Sequence, residues 1–258
     1  VNQGYIEEAI ETYQKAFKIN SNETKYLINS NLIFPIISKS NEELKFYRDR
    51  YNKNIDLLKK YKFLIKDPQN EINPTTFYLS YSEHDNLEII KKCSNFFRKS
   101  IPIINHNLDN VSKNKNNKTG KIKIGFISEF FTDHSIGKLY RGLIKKINYD
   151  KFNITVFHLP KTKIGNIKTE IDSNVDNIIN LDGNIIEQHK KIEKEILDIL
   201  FYPDIGMVSS TYFLAHARLA PIQVMSWGHP ESSGISTIDY FLSSSLIEIE
   251  GSNNYYSE

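Results

Sequence analysis

The run Ile122-Lys-Ile-Gly-Phe-Ile-Ser128, followed at once by Glu129-Phe-Phe-Thr-Asp-His134-Ser-Ile-Gly137, decides the fold class. Its first half is a β-branched stretch that ends in a polar loop. Helical spacing follows through Leu139, Leu143 and Ile147. The same rhythm repeats to the end of the chain. Strands are expected at 152–159, 178–181, 199–202, 222–227 and 238–242. Helices are expected at 168–175, at 212–219 and from Ile185 through His189, Ile192 and Ile196; residues 199–202 read as a strand rather than the last turn of that helix. Strands alternating with helices imply an α/β fold, a Rossmann-like parallel sheet covered on both faces. Such sheets bind ligands in the loops beyond the carboxyl ends of their strands.

Upstream the pattern is helical. Residues 4–20 place Gly4, Ala9, Tyr13 and Ala16 on one face, with Glu and Lys on the other. This spacing matches the second helix of a tetratricopeptide repeat. Only half a repeat is present, whereas such arrays need about three units, so the chain is expected to begin inside a longer array. Helices are expected at 41–58 and 86–98, with an aromatic-rich extended or loop segment, Asn73-Pro-Thr-Thr-Phe-Tyr-Leu-Ser-Tyr81, between them. Residues 105–120 are almost wholly polar and read as a linker. The expected organisation is therefore a repeat end at 1–21, a helical connector at 22–104, a linker at 105–120 and the Rossmann-like lobe at 121–258.

Composition narrows the function. The 258 residues carry 33 basic and 31 acidic side chains, a net charge of +2, which argues against a dedicated nucleic-acid binder. No apolar run approaches the roughly 18 residues of a membrane span. The single cysteine, Cys93, cannot form an internal disulfide or a cysteine-based metal site, and no metal ligands are expected. A cytoplasmic location follows as the default expectation.

Three strand-end loops stand out. In the first, Asp133 and His134 open a helix, where backbone N–H groups and the positive dipole end favour a ligand; either side chain could equally be a helix cap. The second, Tyr202-Pro-Asp-Ile-Gly-Met207, is by itself a plausible turn. The third is the densest, with Trp227-Gly-His-Pro-Glu-Ser-Ser-Gly234 at a strand end. Trp227 offers a flat apolar platform suited to a sugar face, and Gly228 allows close backbone approach. A rigid turn over a core tryptophan is the structural alternative. Phosphate loops with Lys-Ser/Thr, His-Glu-x-x-His helices and Gly-x-Ser-x-Gly elbows are absent.

From Lys121 onward the sequence resembles the amino-terminal catalytic lobe of the O-GlcNAc transferase/SPINDLY glycosyltransferases, especially the bacterial members. The resemblance rests on Ser128-Glu-Phe-Phe-Thr-Asp-His134, Ala217-Arg-Leu-Ala-Pro-Ile-Gln223, Trp227–Gly234 and Asp239-Tyr240. The helix at 4–20 fits that family's repeat array. Tyr47-Arg-Asp-Arg50 and Phe77–Tyr81 look like its connector.

The resemblance implies a GT-B enzyme: metal-independent, inverting, moving a sugar from a nucleotide donor to Ser or Thr of a protein held through upstream repeats. It implies no cofactor beyond the donor, UDP-GlcNAc or a related sugar nucleotide. His134 matches the family histidine of the active site. The Gly228-His229-Pro230 turn matches the family turn beside the donor sugar, which brings in Trp227 and Ser232 as substrate-binding candidates with Asp133. Two departures stand out. The family's Asp-Phe before that histidine is Phe130-Phe131, and a second family histidine aligns with Asn177. Asn177 is the residue that favours the alternative, a non-catalytic protein-binding scaffold with a degenerate lobe. In this family the second lobe holds most donor contacts. The chain stops where that lobe would begin, so it is expected to be an incomplete piece, inactive alone.

Overall fold

The computed structural model describes residues 5–82, 84–107 and 120–258. Gly4 and most of the expected linker lie outside the described residues. The upstream segment forms α1 (Ile6–Ile19), α2 (Lys25–Asn31), α3 (Asn41–Leu58), the short α4 (Pro68–Glu71) and α5 (Leu87–Ser100). The lobe runs β1 (Ile122–Ser128), α6 (Ser135–Lys146), β2 (Phe152–His158), α7 (Asn166–Asp172), β3 (Asn177–Asn180), α8 (Ile185–Lys194), β4 (Ile199–Tyr202), α9 (Ser209–Leu214), β5 (Ile222–Ser226) and β6 (Tyr240–Leu242). All five strand pairings are parallel, in the order β3-β2-β1-β4-β5-β6. This is the doubly wound order expected of a Rossmann-like lobe.

Strand alternation divides the core in two. Ile124 and Phe126 of β1, Ile154 and Val156 of β2 and Phe201 of β4 pack with Ile136, Tyr140 and Ile144 of α6 and Ile167 and Ile171 of α7. Ile127, Phe157, Leu200 and Tyr202 face the other way. There they join a cluster that includes Ile185 and Ile192 of α8 but also Tyr51, Ile55, Phe96 and Phe97 of the connector. Phe97 meets Tyr212 and Phe213 of α9 at ring-centroid distances of 5.9 and 5.2 Å. Tyr51 Oη lies 3.2 Å from the buried Cys93 Sγ in the same cluster. Connector and lobe, separate in sequence, share one core.

The elements differ from expectation in three places. Residues Phe77–Tyr81, expected as an extended or loop segment, form a 3-10 turn, with the Ser80 and Ser82 hydroxyls donating back to the Phe77 and Leu79 carbonyls. The helix from Ile185 stops at Lys194 because Ile196 takes φ +50° and turns the chain into β4. α9 starts at Ser209 and ends at Leu214 instead of spanning 212–219. The buried amide of Gln223 then takes over the released backbone, accepting from Leu219 N and donating to the Ala217 and Thr237 carbonyls at 2.8–3.0 Å.

At the amino end, α1 packs on α2 with Ala9, Ile10 and Tyr13 turned to the core, and Tyr13 contacts Tyr26 at 6.2 Å. Among the described residues no helix is long and apolar enough to cross a membrane.

Because one core spans both segments, Phe97→Ala should destabilise the chain by about 3–5 kcal/mol, the usual cost of emptying a buried aromatic site. Urea unfolding followed by far-ultraviolet dichroism and by Trp227 fluorescence should give one coincident transition. Two separated transitions would show that the connector folds independently of the sheet.

Candidate active site

β1 leads through α6 to β2 on one side of the sheet, and β4 leads through α9 to β5 on the other. A crevice therefore opens between their carboxyl ends. Ser128 closes β1 and donates from Oγ to Asp204 Oδ2, just beyond β4, at 2.8 Å. Asp204 is fully buried and its Oδ1 has no hydrogen-bond partner. Burial pushes its carboxyl up to about 7, against the pull of the Ser128 hydrogen bond. Next to Ser128, Glu129 accepts from Ser210 Oγ at 2.7 Å. Glu129, Lys161, Met207 and Ser210, with Asn73 and Thr75 of the connector, line a cavity of about 200 Å³. Asn73, Thr75 and Met207 also line a larger one of about 710 Å³, whose other walls include Tyr5 and Tyr13 near the amino end, Phe77 and Tyr78.

Three loops interlock around this crevice through close backbone approach. A Cβ on Gly228 would fall on the Pro203 carbonyl oxygen and lie 2.9 Å from Ile136 Cδ1 in the first turn of α6. Gly206, at φ +104°, leaves room for the His229 ring, which a Cβ there would meet at 2.9 Å. Only glycine permits both contacts.

His134 is the N-cap of α6. Its Nδ1 accepts from Ile136 N at 3.2 Å and its ring stacks on Phe130 at 4.4 Å. Partial burial and the nearby Lys138 hold its pKa below the ordinary histidine value. With Nδ1 accepting, the proton of the neutral ring sits on Nε2. Asp133 is exposed and turned elsewhere: its carboxylate accepts from Asn166 N and Ile167 N at 3.2 and 3.0 Å and so caps α7. In the third loop Trp227 and Gly228 are half-buried and Pro230 is exposed. The His229 ring is buried between Gly206 and Phe77, whose centroid lies 5.3 Å away, and burial lowers its pKa to about 4. Ser232 is also buried, donating from Oγ to Glu258 Oε2 at 2.8 Å. The crevice thus gathers the His134 helix end and the Trp227–Gly228 backbone, while Asp133, His229 and Ser232 are engaged within the protein.

A model of glycosyl transferase family 41 matches residues 46–258. The chain belongs to that family. The match takes in most of the connector as well as the lobe. Among solved structures, an O-GlcNAc transferase mutant (K341M) of Thermobaculum terrenum shares the fold, with a TM-score of 0.62 at 15% identity; the match covers 100% of this chain and 47% of that one. The chain thus spans about half the length of that solved structure. No curated protein sequence matches it.

Family features fall into framework and site. Arg218 and Asp239 form a bidentate pair at 2.5 and 3.1 Å, and Asp239 also accepts from Gln223 N, locking β5 to the chain around it. Asn177 opens β3, at the amino end of an edge strand, and bonds to the Asn153 and Thr155 side chains. Asn177 therefore lies at the opposite end of the sheet from the crevice, which is at the carboxyl ends. Phe130, the departure before His134, is the ring on which that imidazole rests. Among the described residues no three His, Cys, Asp or Glu side chains gather closely enough to hold a metal ion.

Sequence reading passed over Asp204, Glu129 and Lys161. The available signal for Asp204 was an acid directly beyond a strand, between Pro203 and Gly206.

Between about pH 4 and pH 7 Asp204 keeps a proton in the folded chain that it loses in the unfolded one, so this group lowers stability as pH rises through that window. Asp204→Asn can still accept from Ser128 and escapes the penalty. Its urea midpoint, relative to wild type, should therefore be higher at about pH 8 than at about pH 4.5. An equal difference at both values would mean that Asp204 titrates like an ordinary carboxyl.

Proposed function

We propose that this chain is the amino-terminal catalytic lobe, with its connector and the last repeat helix, of a protein O-glycosyltransferase. The reaction moves a sugar from a nucleotide-sugar donor, UDP-GlcNAc or a related compound, to Ser or Thr hydroxyls, with inversion and without a metal. The observation that carries this reading is the crevice between β1 and β4, with His134 at its helix end, in a chain whose residues 46–258 match a glycosyltransferase family.

The acceptor oxygen bonds to the anomeric carbon as the bond from that carbon to the diphosphate breaks, and the hydroxyl proton is lost to a base. In the tautomer set by Ile136, His134 Nε2–H is a hydrogen-bond donor, suited to orienting a sugar or acceptor oxygen rather than to taking the proton. The half-buried Trp227 and the Gly228 backbone offer a face and a close approach to the sugar. The cavity of about 710 Å³ gives an acceptor path: the exposed Asn73 supplies an amide for a peptide backbone, and Tyr5, Tyr13 and Tyr78 supply flat walls. The donor nucleotide is held chiefly by a second lobe belonging to a longer protein, and a cytoplasmic setting fits the lone, buried thiol.

The test is transfer from sugar nucleotides to peptides by the chain joined to its second lobe, read by mass spectrometry. The joined protein should glycosylate Ser or Thr, residues 1–258 alone should turn over negligibly because proximity is lost, and His134→Ala should cost about 100-fold or more in kcat. A joined protein that neither binds nor uses any nucleotide sugar would remove the reading. A wild-type rate for His134→Ala would remove that residue from the site.

A further inference from the structure

The loop that carries Trp227 and Gly228 is held from outside the lobe. Asn86, immediately before α5, is buried and uses every group of its side-chain amide. Its Nδ2 donates to the Leu79 carbonyl at 2.9 Å and to Glu231 Oε1 at 2.6 Å. Its Oδ1 accepts from Arg48 Nη1, while Arg48 Nη2 donates to the Asp85 carbonyl. The chain Arg48–Asn86–Glu231 therefore runs from the middle of α3 to the tip of the loop beyond β5. Two further contacts reinforce it. Phe77 of the connector packs on His229, and Gly234, at φ +62°, approaches α5 so closely that a Cβ would lie 2.8 Å from Lys91 N.

The choice of a carboxylate at 231 is costly unless it has a purpose. Glu231 is largely withdrawn from water, its Oε2 has no partner, and it meets a neutral amide with the Arg48 guanidinium one residue further on. Burial raises the Glu231 carboxyl to about 7, so what matters for the Asn86 contact is an acceptor oxygen at this position rather than a full charge. That hydrogen bond fixes one point of a loop that otherwise has little regular structure. Pro230 on one side of Glu231 and the half-buried Trp227–Gly228 pair just before it are the exposed part of the same loop.

We propose that Glu231 is a positioning residue: through Asn86 and Arg48 the helical connector sets the place of the Trp227–Gly228 segment, so the connector is part of the active-site frame rather than a spacer. This rests on the proposed transfer reaction for its functional consequence, and on the hydrogen-bond chain alone for its structural one. The two parts are tested separately.

Hydrogen–deuterium exchange on residues 1–258 reads the structural part. Glu231→Ala and Asn86→Ala should raise exchange of the 227–235 amides at least about tenfold, with the β1 and β2 amides unchanged. Glu231→Gln, which can still accept from Asn86, should exchange like wild type. No change in 227–235 overturns the proposal, and so does a rise spread over the whole chain, which marks a purely structural role.

Kinetics on the chain joined to its second lobe reads the functional part. Glu231→Ala should lower kcat and raise the donor KM, for a loss of about tenfold or more in kcat/KM, with the acceptor KM unchanged and activity restored in Glu231→Gln. If the wild type transfers sugar and Glu231→Ala matches it, the positioning role is wrong. If the wild type transfers none, the transferase reading fails while the exchange result still decides the coupling.

Discussion

A parallel sheet is apolar on both faces, and each must be covered before the fold is stable. Here α6 and α7 cover one face, while the other is closed by α8 together with helices that precede the sheet in the chain. The packing of Phe97 on Tyr212 and Phe213 is the centre of that second contact. Everything else in the molecule follows from it. Placing α3 and α5 against the sheet brings Asn73, Thr75 and Phe77 to the mouth of the crevice and Asn86 to the loop beyond β5. The connector covers hydrophobic surface and shapes the site by the same act of packing.

Within the lobe the crevice is built by exclusion of side chains rather than by their addition. Gly228 against the Pro203 carbonyl and Gly206 against the His229 ring let three strand-end loops close on one another. That closure buries Asp204 and His229, and burial then sets their chemistry: the acid is pushed up and the imidazole down, so both tend toward neutrality. His134 remains partly accessible, at the amino end of α6.

Much of the fold was legible. β1 and β4 fall at Ile122–Ser128 and Ile199–Tyr202 as expected, since short β-branched and aromatic runs bounded by polar turns state their own conformation. Strand-end loops were where a site was to be sought, because where strand order reverses in a parallel sheet the loops beyond the carboxyl ends part to opposite faces and leave a crevice. Misjudged elements share a cause. The end of α9 depends on Gln223, nine residues further along, supplying hydrogen bonds to backbone that the helix gives up. The turn at Phe77–Tyr81 is a 3-10 helix because the Ser80 and Ser82 hydroxyls, two residues apart, each bond back by three, a detail that aromatic content obscures.

The site shows the same division at finer grain. Asp133 and His134 are adjacent and equally plausible as caps or contacts, yet one caps α7 from a distance and the other caps α6 beneath the crevice. Sequence alone determined the strand and helix order, the α/β class and the loops in which chemistry had to be sought, because periodicity and turn residues act within a few positions of each other. Only the tertiary structure decided that Asp204 and His229 are buried, that Asn177 lies at the far end of an edge strand, and that Arg48 and Asn86 reach Glu231. Burial and hydrogen-bond partnership depend on segments from 38 to 145 residues apart meeting in space, and no local pattern carries that information.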